Sequence, residues 1–586
     1  MWLAALPAIA QTNVPEPFTE SDGSLPRLTY GDARSVSLLS AAAESPDVYT
    51  RELAVRHLGE THNPLAIAPL RKATDDPDVA VRAAVAVAAA EFTSSQSGEL
   101  LGKLLGDKDR VVVLAALGSV RRMGHTGATG AVGALLDHAD PLIQANALTT
   151  LTHLGKTADA AQLKNALSSS NARVRLLAAE NAALLTAGAD LPDVLSRLAE
   201  QDVPAVRGAA LAALGKLDFA RAQALLAKAS RDENPLVRRG AVRAYALASR
   251  GAQAAAFLDD PAALVRLAAI EACRLTRHAP AVDKLITLMC QATDELTHRA
   301  GQEAILAIAT PEAAGAVARK LIALAPEMLA LHDQFDAANK KSDADAMGRL
   351  RRQCDLSDRN AIACCRILGK LRNGDAFDTQ ISLLAKLPTN SPVLGAVASS
   401  LGDLGDRRAV EPLAAALDRC AKLARKFLVA QLSMSSNVPP FDEYVAASIV
   451  EALGKLRAVQ FLPQILQLAG TKVQVLRLNH VCAVTATILP DLATDANRGQ
   501  IDKILLDMLR DEPLDRVAVF QAAKTCGRFK LASAVEPLGA ILKAEDRPAS
   551  MIQVAAWAIQ QITGKAPPLP EPSLHEGEWV VKQYGR

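Results

Sequence analysis

The chain has 586 residues, of which 50 % are hydrophobic but only 3 % aromatic, so small aliphatic side chains must form most of its core. Lys and Arg total 65 against 63 for Asp and Glu, a formal net charge of +2. A chain this balanced is not a general binder of nucleic acid or membrane surfaces by charge alone. Charged residues interrupt every apolar stretch, so no transmembrane segment is expected.

The amino terminus leaves two interpretations open. Residues 1–10 form an apolar run that ends in Ala8-Ile-Ala10, which is typical of the end of a secretory signal, but the run is short and no basic residue precedes it. We expect either a truncated signal segment of a periplasmic or secreted protein, or simply an apolar terminus of a cytoplasmic one. Residues 11–34, rich in Pro, Ser, Thr and Gly, are expected to form an extended leader.

Residues 35–310 repeat one sequence motif, and its clearest copy is Asp202 to Lys216. Asp202 is expected to cap a helix that has Pro204 in its first turn and ends near Gly215. Similar capping positions recur through the segment, at Asp47, Asp78, Asp140, Asn171, Asn234 and Asp260. Self-similarity at a period of about 31 residues indicates a repeat array, since each unit holds two short helices that cannot bury their apolar faces alone.

An arginine recurs at one position of this motif, usually directly after a valine. The series is Arg51, Arg82, Arg175, Arg207, Arg238, Arg266 and Arg299. We expect each arginine to lie near the capping carboxylate of the next repeat and to tie the stack together. The alternative is a row of positive charges that holds an acidic partner.

The repeat resembles HEAT repeats, particularly the short, alanine-rich bacterial type of the phycobilisome-lyase HEAT-like group. Ala409-Val-Glu-Pro-Leu-Ala414 and Ala534-Val-Glu-Pro-Leu-Gly539 fit the first helix of that repeat, and Val206-Arg207 to Gly215 fits the second. The resemblance implies an all-α fold, a right-handed superhelical α solenoid of about fifteen helical hairpins with an armadillo-like architecture.

The second half of the chain is less regular. Residues 311–370 keep the length of two repeats but lack the repeated motif, which indicates degenerate repeats or a joint between two arrays. Residues 371–564 are expected to form a second, looser array. Residues 565–586 form a Pro-rich carboxy-terminal tail.

One repeat of the second array is longer than the others. Its extra residues lengthen a helix around Asp418 to Leu432 and add a loop that includes Phe441. Basic residues share one face of this helix, and long loops in compact arrays often carry function. A charged face is more often a solvated surface, but we take this one as the candidate partner-binding site, formed by Arg419, Lys422, Arg425, Lys426 and Phe441.

No residue set identifies a reaction. The sequence has no nucleophile elbow, phosphate-binding loop or C-x-x-C pair, and its only His-Glu step is His575-Glu576, whereas a HEAT-like di-iron hydroxylase would need several. We therefore expect no cofactor and no catalysis, but a scaffold that binds a protein or peptide along its concave surface, which the second helices are expected to form. The alternative is a lyase-type enzyme, or an enzyme accessory subunit, that uses the groove as a ligand pocket.

Overall fold

The computed structural model describes residues 33–185, 191–432, 442–470, 472–473, 476–510, 516–543 and 549–568. The segment 1–10, nearly all of the leader 11–34, the tail beyond residue 568 and Phe441 lie outside these residues. By their contacts the described residues form two compact units, which meet in the chain at Ala272 and Cys273. No described helix combines the length and the apolar character needed to cross a membrane.

The first unit is a stack of helical hairpins. The first helices of these hairpins are α1 Ala33–Ala42, α3 Ile67–Ala73, α5 Ser94–Leu105, α7 Thr129–Ala134, α9 Ala160–Leu167, α11 Pro192–Gln201, α13 Phe219–Ala229 and α15 Gly251–Ala255. The second helices are α2 Val48–Glu60, α4 Val79–Ala89, α6 Arg110–Met123, α8 Pro141–His153, α10 Ala172–Ala182, α12 Pro204–Leu217, α14 Pro235–Leu247 and α16 Ala263–Thr276. Helix α16 begins in this unit and continues into the second.

The second unit repeats the alternation. Its first helices are α17 Val282–Gln291, α19 Pro311–Lys340, α21 Phe377–Lys386, α23 Val410–Leu432, α25 Leu462–Ala469, α27 Arg498–Arg510 and α29 Val535–Lys543. Its second helices are α18 Glu295–Ile308, α20 Ala344–Leu371, α22 Pro392–Leu404, α24 Glu443–Lys455, α26 Asn479–Leu492, α28 Arg516–Phe529 and α30 Ala549–Thr563. The segment 311–370 is thus occupied by the long hairpin of α19 and α20.

Short elements complete the described chain. One-turn 3-10 helices span Pro64–Ala66, Thr126–Ala128, Leu135–Asp137, Ala256–Asp259, Ala279–Ala281, Arg407–Ala409, Val459–Phe461 and Ala532–Ala534. Two antiparallel strands of two residues, β1 Lys472–Val473 and β2 Leu476–Arg477, pair between α25 and α26. The thirty α-helices of the described residues form fifteen successive pairs, as predicted, and confirm an all-α solenoid apart from this small bridge. The handedness of its superhelix stays a prediction.

Each unit has two layers with the core between them. Successive second helices pack directly on one another, as α2 does on α4 and α4 on α6, and each also packs on the first helix of its own hairpin. Leu58, Leu70 and Val85 are fully buried where the two layers meet. Since no hairpin covers its own apolar face, the stack is the unit of stability.

Small residues set the closest approach of two second helices. A Cβ built on Gly208 of α12 would lie 2.4 Å from the carbonyl oxygen of Leu236 in α14, and one on Gly240 would lie 2.3 Å from the Cα of Gly208. Any side chain at either position would push the two backbones apart. Glycine is therefore required at this crossing.

An arginine ladder joins most successive hairpins of the first unit and is interrupted at α6 and α8, where Val113 and Gln144 stand in the ladder position. Arg82 donates from Nε and Nη2 to the two carboxylate oxygens of Asp107 in the next hairpin, at 2.7 and 3.1 Å. Its Nη1 donates to the carbonyl oxygens of Asp76 and Pro77, in the turn before its own helix, at 2.8 and 3.1 Å. One side chain thus closes its own turn and binds the next hairpin. The corresponding pairs are Arg51–Asp76, Arg175–Asp202, Arg207–Asp232 and Arg238–Asp260.

The partner carboxylate differs from the one expected. Asp78 and Asp109 cap α4 and α6, but the carboxylates that bind the ladder are Asp76 and Asp107, two residues earlier. Each of these also accepts the backbone N–H of the cap residue, at 2.9 and 2.8 Å. A ladder carboxylate therefore orders the turn that places the capping residue.

Two expected caps turn out to be ladder residues. Val203 occupies the cap position of α12, whereas Asp202 binds Arg175 and accepts the N–H of Val203 at 2.7 Å. Asp260 binds Arg238 and accepts the N–H of Ala262 at 2.9 Å. The two aspartates were predicted as caps because a carboxylate just before a helix serves either role.

The ladder changes at its end. Arg266 keeps the turn contacts, donating from Nη1 to the carbonyl oxygens of Asp260 and Pro261, each at 2.8 Å. Arg299 does not join the ladder, because it pairs with Glu303 on its own exposed helix face. Four residues after the cap Asp294, where the ladder residue stands elsewhere, lies buried His298, with Nδ1 at 3.0 Å from the carbonyl oxygen of Met289. The ladder position of this repeat was therefore predicted one residue too late in the chain, at Arg299 instead of His298.

The eight cysteines are all buried. Burial raises the pKa of Cys273 to about 11 and that of Cys365 to about 12. A thiol with a raised pKa is a poor nucleophile at neutral pH, so these cysteines act as small apolar core residues.

The ladder predicts loss of stability in acid. Hydrogen bonds from Arg175 and Arg238 lower the pKa of Asp202 and Asp260, although burial acts in the opposite direction. A carboxyl whose pKa is lower in the folded state contributes stability above its unfolded pKa of about 3.9, and this contribution is lost as the pH falls through the folded value. The urea midpoint should therefore be steady near neutrality and fall steeply below about pH 4.

The Asp202→Asn, Asp260→Asn double variant is the control for this prediction. It should be less stable than the parent at pH 7 and should lose less stability between about pH 5 and pH 3, because two of the titrating groups are gone. An acid dependence identical to that of the parent would show that the ladder is not the cause.

Candidate partner-binding surfaces

The predicted basic face is present on α23, in part. Lys422, Arg425 and Lys426 are exposed, and the apolar residues Leu413 and Leu417 on the other side of the helix are buried. Nζ of Lys422 also pairs with Oδ2 of Asp418 one turn earlier, at 2.7 Å, on the exposed surface. Phe441 lies outside the described residues, so its place beside this face stays a prediction.

Arg419 has a different role from the one predicted. Its Nη1 and Nη2 donate to the carbonyl oxygens of Ala385 and Leu384, at the end of α21. Helix ends leave carbonyl groups without intrahelical partners, and a guanidinium that binds them joins neighbouring helices. The sequence pattern grouped Arg419 with the exposed basic residues because it lies three residues before Lys422 on the same helix, but its contacts are structural.

Helix α23 also lies in a different layer from the helices that were expected to bind a partner. Helix α23 packs beside α21 and α25, which are first helices, whereas α22 and α24 form the second-helix layer. The partner was expected to bind the second helices. The basic face and the expected binding surface are therefore on opposite layers of the second unit.

Arg419 and Lys422 provide a matched pair of substitutions. Arg419→Ala should lower the free energy of unfolding by about 1–3 kcal/mol, because two carbonyl groups lose a charged donor. Lys422→Ala, which removes an exposed pair, should change it by less than about 0.5 kcal/mol. Urea titrations of both variants test the assignment, which two equal effects would contradict.

A row of exposed apolar side chains runs along the second helices of the first unit. Tyr49 is 57 % exposed, Val111 53 % and Leu142 41 %, and the half-buried Ala80 completes the series, which has an interval of 31 residues. Each stands two residues after the cap of its helix, in α2, α4, α6 and α8. We call Tyr49, Ala80, Val111 and Leu142 the apolar row.

Capping geometry explains why these side chains align. The caps Asp78, Asp109 and Asp140 each accept the N–H of the residue two positions later, at 2.8 to 2.9 Å. This bond fixes the first turn, so the same position points the same way in each repeat. The signal was present in the sequence, as an apolar residue two positions after successive caps, but the sequence analysis overlooked it.

The same position changes character farther along the unit. It is the exposed Arg173 in α10, then Ala205 in α12 and Leu236 in α14. Ala205 and Leu236 line a cavity of about 170 Å³ between α10, α12 and α14. The other residues that line the cavity are Leu176, Glu180, Gly208, Ala209, Arg239, Gly240 and Arg243.

The cavity holds more positive than negative charge. Arg243 and Glu180 are both largely buried, with Nη1 at 3.7 Å from Oε1. Burial lowers the pKa of Arg243, Glu180 raises it and the nearby Arg239 lowers it again. Arg239 is half-buried and has no ion pair with any side chain of the described residues. Two guanidinium groups thus face one carboxylate.

Two histidines of the second unit make defined side-chain contacts. In the second unit His332 Nε2 lies 2.8 Å from Asp358 Oδ1, and this hydrogen bond raises the pKa of His332. The rings of His480 and Tyr444 are in contact, with centroids 4.3 Å apart and planes tilted by 44°. Among the described residues, no group of three or more His, Cys, Asp or Glu side chains is placed to hold a metal ion.

Comparison with protein families identifies the repeat. Residues 36–121 and 191–258 match the model of HEAT repeats, and residues 393–419 match that of the PBS lyase HEAT-like repeat. A search of curated proteins finds no match.

Solved structures with related folds are distant from this chain. A chain of the Kap95:Nup1 complex is 14 % identical with a TM-score of 0.45, and the match covers 90 % of this chain and 84 % of that one. Yeast importin-beta is 11 % identical with a TM-score of 0.36 over the same shares. Human deoxyhypusine hydroxylase is 20 % identical with a TM-score of 0.20, over 42 % of this chain and 96 % of that one. These scores are low, and the fold assignment rests on the chain's own helices and repeat matches.

Proposed function

Because the chain contains HEAT repeats, we propose that it is a non-catalytic scaffold that binds a protein or peptide partner along its second-helix surface. The observation that carries this proposal is the apolar row, in which Tyr49, Val111 and Leu142 stay exposed although the chain buries most of its other large apolar residues. Exposed apolar side chains gathered on one surface are typical of interaction sites.

The spacing of the row fits an extended segment. Packed helices lie about 8–10 Å apart, and an extended chain advances about 3.3 Å per residue, so one repeat corresponds to about three residues of the partner. A segment with an apolar side chain at every third residue would place one on each helix. Each such side chain, if fully buried, would contribute about 1.5–3 kcal/mol before the cost of ordering the segment.

A protein partner fits this surface better than a nucleic acid. Binding to single strands needs a basic groove lined with aromatic residues, whereas the apolar row has one aromatic residue and no basic one. The formal net charge of +2 provides little general attraction to phosphate.

A lyase-type enzyme, or an accessory subunit of one, is the alternative. Its support is the match of residues 393–419 to the PBS lyase HEAT-like repeat. Ligand pockets of enzymes commonly measure about 300–1,000 Å³. The cavity of the first unit is about 170 Å³, so it suits a single side chain better than a large ligand.

The proposal predicts that peptides selected from a random display library on the full chain carry apolar residues three positions apart. A Tyr49→Ser, Val111→Ser, Leu142→Ser variant should bind the selected peptides at least about tenfold more weakly, because about 1.4 kcal/mol corresponds to tenfold in affinity. Fluorescence anisotropy measures the change.

Exposed apolar residues elsewhere provide the control. Leu65→Ser and Ile322→Ser change side chains of comparable exposure, outside the second helices, and should leave binding unaltered. Equal loss in the control variant, or none in the triple variant, would contradict the assignment of the surface.

A further inference from the structure

We propose that the cavity between α10, α12 and α14 binds the carboxylate of an acidic side chain in the extended partner segment. This inference rests on the proposed function and names the chemistry of the partner. The recognised segment has apolar residues at one end and an aspartate or glutamate at the other.

The shape of the cavity comes from residues that cannot fill it. Ala205, Gly208 and Ala209 of α12 contribute almost no side-chain volume, and the leucines Leu176 and Leu236 stand on either side. The close crossing of α12 and α14 excludes a larger residue at Gly208. The space is therefore built into the packing of the two helices.

The charges of the cavity select an anion. Arg239 and Arg243 carry two positive charges against the one negative charge of Glu180. Burial lowers the pKa of Arg243, and repulsion from the nearby Arg239 lowers it further. An incoming carboxylate would make two pairs of opposite charge, and the planar guanidinium matches its geometry. A basic side chain would add a third positive charge to a partly buried site.

The cavity lies on the path of the apolar row. Ala205 and Leu236 occupy the same position after their caps as Leu142 does, two residues past Val203 and Asn234. From α8 to α12 there are two steps between second helices, about 20 Å, which an extended chain crosses in about six residues. The exposed Arg173 lies between them, on α10, and extends the positive potential toward the row.

The test uses synthetic fluorescent peptides of about sixteen residues, a length set by the row and the cavity together. They carry leucine at every third position and serine elsewhere, and end in a glutamate about six residues from the last leucine, in either chain direction. Matched peptides carry glutamine in its place. On the full parent chain, the glutamate peptide of one direction should bind about tenfold more tightly than its glutamine counterpart, as expected for a charge-assisted pair.

Variants of Arg239 locate the effect. Arg239→Gln should abolish the preference for glutamate, and Arg239→Glu should transfer it to a peptide with lysine at the same position. Arg221→Gln makes the same change of charge on α13, a first helix of the same unit, and should leave the preference intact. Since Arg239 is only half-buried, circular dichroism and urea midpoints should show that all three variants remain folded.

The outcomes separate this inference from the proposed function. Equal binding of glutamate and glutamine peptides to the parent, or a preference that persists in Arg239→Gln, would overturn the carboxylate site and leave the apolar row standing. Failure of every leucine peptide to bind the parent would overturn both.

Discussion

The pairing of an arginine in one hairpin with an aspartate in the next is the interaction that sets most of the junctions in the first unit. Arg82 binds two carbonyl groups of its own turn and both carboxylate oxygens of Asp107, which in turn holds the backbone of the cap at Asp109. The arginine fixes the angle of its own helix and the spacing to its neighbour at once. A hairpin stack has no core that spans the whole chain, so its regularity has to be set at each junction.

The arginine ladder and the candidate binding surface are different parts of the molecule, because the charges of the ladder are paired within the stack. The ladder arginines are bound to carboxylates and turn carbonyls, which leaves them unsuited to recruit an acidic partner. The caps Asp109 and Asp140 align Val111 and Leu142 on the second helices. Near α12 the apolar row gives way to small residues, which leave a cavity lined by Arg239 and Arg243. The carboxylate site that we propose therefore lies where the repeat departs from its usual residues.

The fold was largely predictable, because most hairpins of the first unit carry their period, cap and ladder residue in a local stretch of sequence. The details of pairing were not. Asp202 was predicted as a cap and serves the ladder, since both roles need a carboxylate just before a helix. Arg299 stands beside the residue that takes the ladder position, His298, and a shift of one residue turns a side chain from the core to solvent. Arg419 looked like part of an exposed face, but carbonyl groups of another helix bind it, and helical spacing does not reveal such contacts. The cavity depends on the crossing of α12 and α14, a tertiary feature.

The central claim, that the ladder holds the stack and leaves binding to the second-helix surface, is tested most directly by two double-mutant cycles on urea unfolding. For Arg175 and Asp202, which are largely buried, we expect a coupling of about 1–3 kcal/mol. For Arg299 and Glu303, both exposed on one helix, we expect at most about 0.5 kcal/mol. Peptides selected on the parent should bind the folded Arg175→Ala variant with unchanged affinity. A coupling of Arg175 with Asp202 no larger than that of the surface pair, or loss of peptide binding in a variant that remains folded, would contradict the account.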